Sequence, residues 1–317
     1  MPWSGRATAA RPAPAARTVR AGANARPTQR TTRRVDVMRI EDLDLGRSWT
    51  AKLLANTALT PPEAREEVRE LLLEAGDEER DFRAGQSVAV SVAGPHEFGQ
   101  QAHVRLYTVA RIPAELGPGR FTLCVRRCTF LDPYSGERFP GIASNYLCDL
   151  KAGSTLSLAG PVGLPFLIPN DPWTPLLIVG LGTGIAPFRA MLRELFDERD
   201  WRGKVMLFHG ARTGLETVYS GDVAELSERA AAFSPVAVVS PRPAWGDQED
   251  LGAAIHAHQE EVWQLLGESE VHVYLAGLNW VGEQFDKALA EAAGSAEAWA
   301  ARKEALKNAG RWTSLLY

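Results

Sequence analysis

A change of residue pattern at 170–172, where the chain reads Asn-Asp-Pro, divides the 317 residues into two halves. In the second half, short continuous apolar runs alternate with amphipathic stretches, starting with a strand at 176–180 and a helix at 186–198. Continuous apolar strands separated by helices are typical of a parallel sheet covered on both faces. Residues 171–317 are therefore predicted to form an α/β domain with a five-stranded parallel sheet. Its other predicted elements are strands at 204–209, 235–240 and 271–275, helices at 222–231, 249–266, 282–293 and 296–308, and a short apolar segment at 312–317.

The first half has strand-like runs that are short, often alternate apolar with polar residues, and are broken by glycine and proline. Such runs are typical of half-buried antiparallel strands, and six or so of them predict a small β-barrel at residues 36–170. A helix at 61–74 is predicted to interrupt the strands. The strands themselves are predicted at 49–58, 86–92, 104–112, 120–126 and 154–159.

Residues 1–34 differ from the rest in charge, because they hold eight of the 35 basic residues and none of the 39 acidic ones. With little to bury, residues 1–35 are predicted to be a disordered basic tail. Three roles stay open: an organelle transit peptide, a basic arm that docks on an acidic surface, and upstream sequence without a function. No apolar segment follows the arginines, as a secretory signal requires. The expected location is cytoplasmic, or organellar if the tail is a transit peptide.

The composition excludes several classes of protein. No run of 18 uncharged apolar residues occurs, so no membrane-spanning helix is expected. Three cysteines, Cys124, Cys128 and Cys148, are too few for a disulfide framework or for an iron–sulfur cluster held by four thiolates. The histidines are dispersed and predict no metal site. A nucleic-acid partner is not expected either.

The first motif with chemical meaning is the turn at 180–187, which reads Gly-Leu-Gly-Thr-Gly-Ile-Ala-Pro. Glycines let the backbone approach a bulky anion, and the helix that follows offers free N–H groups and the positive end of its dipole. In a parallel sheet this turn faces the crevice where ligands bind. The spacing departs from the dinucleotide pattern G-x-G-x-x-G and lacks the lysine of a P-loop, so nucleotide hydrolysis is disfavoured. A tight turn without a ligand stays open.

A second constellation lies in the barrel half. The two-residue period of a strand places Arg105 and Tyr107 on one face, where a cation and an aromatic ring could hold a phosphate and a planar ring. The run Cys-Val-Arg-Arg at 124–127 adds cations, and residues 141–145 open a helix predicted at 145–150. The start of that helix could receive a pyrophosphate. Each feature alone is weak, because an Arg-x-Tyr on a strand is more often a solvated cation and a packed ring.

Taken together and in this order, these segments resemble the plant-type ferredoxin–NADP(+) reductase family over about residues 49–317. The resemblance implies an FAD-binding antiparallel barrel followed by an NADP-binding domain with a parallel sheet. It also implies electron transfer between NADP(H) and a one-electron carrier, ferredoxin or flavodoxin, by hydride transfer between nicotinamide C4 and flavin N5. The segments that carry it are 105–108, 123–127, 144–151, 160–163, 182–189 and 310–317.

The resemblance assigns roles in the barrel half. Arg105 and Ser144 hold the FAD pyrophosphate, and Tyr107 lies along one face of the isoalloxazine. Thr108 stands near flavin N5, and Phe130 stacks on the FAD adenine. The cofactor-binding residues implied in this half are Arg105, Leu106, Tyr107, Thr108, Cys124, Val125, Arg126, Phe130, Gly141, Ala143 and Ser144.

The resemblance assigns roles in the second half as well. The segment 182–184 receives the NADP pyrophosphate and guides the nicotinamide, in a site that Gly277 and Leu278 also line. Tyr317 stacks on the other flavin face and moves aside for the nicotinamide, so Thr108 and Tyr317 are the predicted catalytic residues. The cofactor-binding residues implied in this half are Gly182, Thr183, Gly184, Arg212, Ser240, Arg242, Gly277, Leu278 and Tyr317.

Three departures from the family pattern affect the nicotinamide nucleotide. Ala276 stands where the family has a cysteine and Leu315 where it has a glutamate, so we expect slower or altered hydride transfer. Ser240 and Arg242 match the family's pair for the 2'-phosphate, but the lysine and tyrosine that follow fall near Gln248 and Asp250. Arg212 is expected to compensate, and NADPH is favoured over NADH.

The destination of the electrons is open at this point. Docking of an acidic ferredoxin or flavodoxin needs a basic face, such as Arg126, Arg127 and Arg138, or the tail. The segment Gly-Ala-Arg-Thr at 210–213 resembles the reductase part of benzoyl-CoA oxygenase, so a reductase component that feeds an oxygenase is the first alternative. A flavin-binding subunit with little turnover is the second.

Overall fold

Antiparallel pairing closes the first half of the chain into a barrel of six strands. The computed structural model describes residues 47–76, 82–96, 99–163, 166 and 168–317, so the predictions for residues 1–35 lie outside the described residues. In chain order the strands of this half are Trp49–Ala58 (β1), Val68–Ala75 (β2), Ser87–Ala93 (β3), Ala102–Arg111 (β4), Arg120–Arg126 (β5), Thr129–Leu131 (β6), Arg138–Pro140 (β7) and Thr155–Val162 (β8). Around the barrel the order is β1-β2-β5-β4-β3-β8, while β6 and β7 form a separate ribbon.

The helix predicted at 61–74 is wrong, because its second half is the barrel strand β2. Leucine, glutamate and arginine favour a helix locally, and this composition misled the prediction. In the barrel, Leu71 and Leu73 alternate with less buried neighbours and are themselves fully buried. The segment pairs with β1 on one side and β5 on the other, so tertiary pairing overrides the local preference.

Two helices belong to the barrel half. The short helix Pro113–Leu116 (α1) connects β4 with β5, and Ile142–Asp149 (α2) lies between the ribbon and β8. The helix predicted at 145–150 thus begins three residues earlier, with Gly141 at its N-cap. This earlier start places the first turn of α2 directly after the ribbon strand β7.

The second half forms a five-stranded sheet whose strands all pair in parallel. Its strands are Leu176–Leu181 (β9), Val205–Ala211 (β10), Phe233–Val239 (β11), His272–Gly277 (β12) and Trp312–Leu316 (β13). Its helices are Ala186–Arg193 (α3), which continues as one π turn to Glu198, Ser220–Arg229 (α4), Leu251–Ala257 (α5), Gln259–Gly267 (α6), Asn279–Ala292 (α7) and Ala296–Asn308 (α8). The single helix predicted at 249–266 is wrong, because non-helical backbone angles at His258 divide it. The division allows α5 to pack on α7 while α6 packs on β9.

The sheet order β11-β10-β9-β12-β13 reverses direction at β9. From β9 the chain first builds outward through β10 and β11, and then returns to add β12 and β13 on the other side. Such a reversal opens a crevice at the carboxyl ends of the central strands. The glycine-rich turn that follows β9 therefore lies at the crevice.

The barrel and the sheet pack against each other through apolar and ionic contacts. Phe166 stacks on Phe188 of α3 with ring centroids 5.1 Å apart. Arg189 of α3 is 3% exposed, and its guanidinium bonds to Glu115 of α1 and to Asp222 of α4. Because β8 ends before residue 163 and β9 begins at residue 176, we propose the boundary between the two domains at residues 170–171.

No helix in the described part of the chain combines the length and apolar character needed to cross a bilayer.

Candidate active site

The glycine-rich turn after β9 is a 3₁₀ turn, Gly182–Ile185, that leads into α3. Gly184 needs to be glycine, because a Cβ there would lie 2.3 Å from the carbonyl oxygen of Ala276 at the end of β12. Gly182 has a φ of +55°, and a Cβ there would meet no atom within 4 Å. The turn thus holds the start of α3 tightly against β12 while its Gly182 side stays open to a ligand.

Tyr317 lies beside this turn and is held at three points. Its N–H donates to the Gly277 carbonyl at 3.1 Å, and its carbonyl accepts from the Asn279 N–H at 3.1 Å. Its hydroxyl lies 3.2 Å from the Thr183 hydroxyl. Because Tyr317 is 56% exposed, its ring can swing at the cost of the hydroxyl contact while the backbone bonds stay in place.

On the barrel side, β4 presents Tyr107 and Thr108 next to each other. Thr108 pairs with Ser87 of β3, and their two hydroxyl oxygens are 3.1 Å apart. Ser87 is buried, so it fixes the orientation of the Thr108 hydroxyl. Burial raises the pKa of Tyr107, which therefore stays a neutral phenol.

Arg105 and Leu106 occupy the exposed part of the same strand. The Arg105 guanidinium donates to the carbonyl of Val104 at 2.9 Å, an exposed contact that an anion could replace. Arg105 also lies on the wall of a surface pocket that residues 100–105 line. The strand places Arg105 and Tyr107 on one face, as their spacing predicts.

The start of α2 contains Gly141, Ala143 and Ser144. A Cβ at Gly141 would lie 2.9 Å from the Ser144 Oγ, so glycine keeps the approach to this hydroxyl open. The Ser144 hydroxyl accepts from the Cys128 N–H at 3.2 Å and donates to the Gly141 carbonyl at 3.3 Å. Ala143 is buried below them. The first turn of α2 is thus a preformed polar cradle.

Phe130 lies apart from the crevice, on the β6–β7 ribbon. It is 52% exposed, and it stacks on Phe139 with ring centroids 5.5 Å apart. An exposed aromatic pair of this kind can accept a further planar ring.

Cys124 and Val125 lie on β5 and are both buried in the barrel. Burial raises the pKa of the Cys124 thiol to about 12. The side chain of Val125 belongs to the barrel core, which leaves its backbone as the part that a ligand could meet.

The segment after β11 holds Ser240 and Arg242. The Ser240 hydroxyl donates to the Asp247 carbonyl at 3.0 Å, and the Arg242 Nε donates to the Asp247 carboxylate at 2.7 Å. The Arg242 guanidinium also lies 5.0 Å from the ring centre of Trp245, which is 77% exposed. Asp250 accepts from the Ala253 N–H at 2.8 Å and caps α5. The Asp250 carboxylate therefore serves as the N-cap of α5.

Arg126 of β5 and Arg212, just after β10, both approach the carboxylate of Glu66 from the β1–β2 hairpin loop. Burial raises the pKa of the Tyr317 hydroxyl, and the positive charge of Arg126 opposes that increase. The next residue, Arg127, bonds instead to Glu67 and Asp149, at 2.6 and 2.7 Å.

Comparisons with known proteins agree with this geometry. The oxidoreductase NAD-binding domain family matches residues 178–283. Over 279 residues, the chain is 30% identical to chloroplastic ferredoxin–NADP reductase leaf isozyme 1 of Oryza sativa subsp. indica. The matched region covers 85% of this chain and 76% of that protein. The chain belongs to the ferredoxin–NADP reductase family.

Two further members of the family and one solved structure extend the comparison. The chloroplastic enzyme of Mesembryanthemum crystallinum is 31% identical over 279 residues, covering 85% of this chain and 76% of that protein. The ferredoxin–NADP reductase of Spirulina sp is 28% identical over 274 residues, covering 83% of this chain and 93% of that protein. The Plasmodium falciparum ferredoxin–NADP+ reductase solved with 2'P-AMP shares the fold, with a TM-score of 0.66, 16% identity and coverage of 86% and 97%.

The two positions at which we expect a departure from the pattern of the ferredoxin–NADP reductase family are direct neighbours. Ala276 of β12 and Leu315 of β13 are partners in the parallel ladder. Ala276 is fully buried and Leu315 packs against the core. This apolar pair lies next to Gly277 and Leu278 at the carboxyl end of β12.

The structure also identifies residues that the sequence prediction missed. Ser87 lies 21 positions before Thr108, and the strand register alone brings their hydroxyls together. Glu66 belongs to the segment that was predicted as a helix, so its position between two arginines was not foreseeable. Burial raises the pKa of Glu249 and the charge of Arg212 opposes that increase, but no motif marks Glu249 in the sequence.

His209, the most buried of the histidines of the second half, bridges the carbonyls of Gly180 and Val218, at 3.1 and 3.0 Å. Burial lowers its pKa. Across the described residues, no group of three or more His, Cys, Asp or Glu side chains is arranged to hold a metal ion.

Proposed function

We propose that this chain is an FAD-dependent oxidoreductase that transfers electrons between NADP(H) and a one-electron carrier, ferredoxin or flavodoxin. The observation that carries the proposal is the contact between the two halves at the crevice. There the 182–185 turn packs against β5 of the barrel, and Thr183 holds the hydroxyl of Tyr317. Two planar redox rings that bind to the two halves would therefore meet face to face.

The barrel residues fit FAD. Arg105 and the polar cradle at Ser144 supply a cation and a helix start for a pyrophosphate, and Tyr107 supplies a flat neutral ring. The exposed Phe130–Phe139 pair suits a second ring at the far end of an extended cofactor. When bound, FAD supplies a flavin that exchanges a hydride with nicotinamide at N5 and passes electrons on one at a time.

The sheet residues fit a phosphorylated nucleotide. The open Gly182 side of the turn can meet a pyrophosphate, and the buried Nε and Nη1 atoms of Arg212 have no hydrogen-bond partner. Arg212 follows β10 and Ser240 follows the neighbouring strand β11, so the unsatisfied Arg212 nitrogens favour an anionic ligand at the ends of these two strands. This arrangement supports NADP(H) as the nucleotide.

The residues at the crevice would act by covering and orienting the reacting groups. Tyr317 would cover one flavin face and keep water away until nicotinamide displaces its ring. Ser87 would hold the Thr108 hydroxyl toward the reacting edge. Since Ala276 and Leu315 carry no titratable group, the Ser87–Thr108 pair would be the polar group beside the hydride path. Binding in this geometry, rather than proton transfer by a dedicated acid, would supply most of the catalysis.

The carrier would dock on the exposed basic residues of the barrel. Arg127 is already neutralised by Glu67 and Asp149, so it contributes little to such a face. Arg138 on the ribbon is exposed, and Arg126 lies at the crevice itself. We also propose a cytoplasmic location, or an organellar one if residues 1–35 act as a transit peptide.

One assay tests the function. The full chain is purified, its flavin spectrum is recorded, and cytochrome c reduction by NADPH is followed with and without ferredoxin. A rate that depends on ferredoxin supports the proposal. NADPH oxidation that ferredoxin does not accelerate favours a reductase component for an oxygenase. A bound flavin that NADPH does not bleach indicates a subunit with little turnover, and a protein that takes up no FAD contradicts the proposal.

A further inference from the structure

Two guanidinium groups from different halves of the molecule converge on one carboxylate. Nη1 of Arg126 lies 3.7 Å from Oε2 of Glu66, and Nη1 of Arg212 lies 3.7 Å from Oε1. Each carboxylate oxygen thus faces one arginine, as two oxygens of a phosphate would. Both distances exceed a hydrogen bond, so the two ion pairs are loose.

The polar groups around this carboxylate are incompletely satisfied. Arg212 has two buried nitrogens, Nε and Nη1, without a hydrogen-bond partner. Buried polar atoms without partners are costly and are rare in folded proteins. The two on Arg212, whose Nη1 faces Glu66, point to a ligand that completes the site.

The loop that carries Glu66 is anchored on both sides of it. Arg65 lies against Gly246, where an added Cβ would sit 2.9 Å from its Nη1, and Glu67 bonds to Arg127 at 2.6 Å. The Glu66 carbonyl accepts from the Thr60 hydroxyl at 2.9 Å. The backbone is therefore fixed while the Glu66 side chain is held by two loose ion pairs, so the side chain can leave without unfolding of the loop.

The charges of the cluster oppose an incoming anion as long as Glu66 stays. Arg126 and Arg212 both face Glu66, so its carboxylate offsets part of their positive charge. A phosphate gains attraction from both arginines when it takes the place of Glu66, and it meets repulsion when it does not.

We propose that the Glu66 carboxylate is an internal stand-in for a phosphate group of the nucleotide. It covers Arg126 and Arg212 when no nucleotide is bound, and it must move away when NADP(H) binds. This inference rests on the proposed function and adds to it a competitor within the protein. The chemistry, two guanidinium groups for one phosphate, suits the 2'-phosphate and the pyrophosphate equally.

The test is equilibrium binding of NADP+ to the FAD-loaded, oxidised full chain, measured by calorimetry without turnover. Glu66→Gln is expected to lower the Kd for NADP+ about five- to tenfold, because it removes a charge that competes for the same arginines. Glu63→Gln, an exposed charge in the same loop, is the matched control and is expected to leave the Kd unchanged. The gain from Glu66→Gln is expected to disappear in an Arg212→Gln background, because the two residues form one site.

Parallel titrations with NAD+ and 2'-AMP distinguish the two phosphates. A gain for NADP+ and 2'-AMP but not for NAD+ assigns Glu66 to the 2'-phosphate, and a gain for both dinucleotides assigns it to the pyrophosphate. Equal or weaker binding by Glu66→Gln, with a wild type that binds NADP+, overturns the inference while the function stands. If neither protein binds NADP+, the nucleotide function fails and the inference fails with it.

Discussion

At the scale of single residues, the apolar pair Ala276 and Leu315 has the clearest consequence for rate. The two residues are ladder partners beside the crevice, so they must be changed together to restore a polar pair. We predict that Ala276→Cys combined with Leu315→Glu speeds flavin reduction by NADPH about tenfold or more, because general acid–base groups typically contribute at least that much. Stopped-flow absorbance of the flavin measures the rate.

One control belongs to that prediction. Leu315→Glu alone is expected to destabilise the protein, because Leu315 packs against the core and Ala276 offers no partner for a carboxylate. Equal reduction rates for the wild type and the double variant would show that this polar pair is dispensable here.

The cysteines differ in reactivity because they differ in burial. Burial raises the pKa of Cys124 to about 12 and that of Cys148 to about 11, so their thiolates are scarce at pH 8. Cys128 is half-buried. We predict that iodoacetamide labels Cys128 first at pH 8, and peptide mass spectrometry checks the order, with Cys128→Ser as the control. Labelling of Cys124 before Cys128 would contradict the assigned burial.

At the scale of elements, the sequence predicts the sheet half well and the barrel less well. Strand β9 is continuously apolar, and its position follows from that run. The strand β2 is rich in helix formers, and its place between β1 and β5 depends on partners far away in the chain. The same limit hid Ser87 and Glu66, because register and loop path decide which side chains meet. Motif residues such as Arg105 and Gly184 can be predicted as site residues from the sequence because their local spacing marks them.

Strand β12 carries a titration that should affect stability. Burial, together with Arg311, lowers the pKa of His272 to about 4. Between about pH 6.5 and 4 the unfolded chain binds a proton there that the folded chain does not, so the free energy of unfolding falls as the pH drops through this window. We predict that His272→Gln reduces this fall in the free energy of unfolding by about 1–2 kcal/mol. Urea unfolding from pH 7 to 4 measures it. An unchanged slope would show that His272 is already protonated in the folded state.

At the scale of the whole molecule, the barrel is fastened to the sheet by a buried ionic network. Arg189 bonds to Glu115 at 2.6 Å and to Asp222 at 2.9 Å, and the Tyr219 hydroxyl donates to Glu70 at 2.9 Å. We predict that Glu115→Gln lowers the free energy of unfolding by about 3 kcal/mol, because it leaves the buried guanidinium of Arg189 without one of its carboxylate partners. Urea unfolding measures the loss.

The matched control for the network is Glu225→Gln. Glu225 pairs with Arg193 at the surface, where its side chain is 53% exposed, so solvent screens the pair and its loss is expected to cost much less than that of Glu115. Equal losses for Glu115→Gln and Glu225→Gln would show that the contact between barrel and sheet does not depend on this network.

Closure of the barrel has a consequence for synthesis of the protein. The first barrel strand pairs with the last, and the Trp49 indole donates to the carbonyl of Gly160, 111 positions later. A nascent chain therefore leaves the ribosome with one edge of β1 exposed until β8 has emerged. Such unpaired edges invite pairing with other chains, so we expect solubility during expression to depend on chaperone capacity and translation speed.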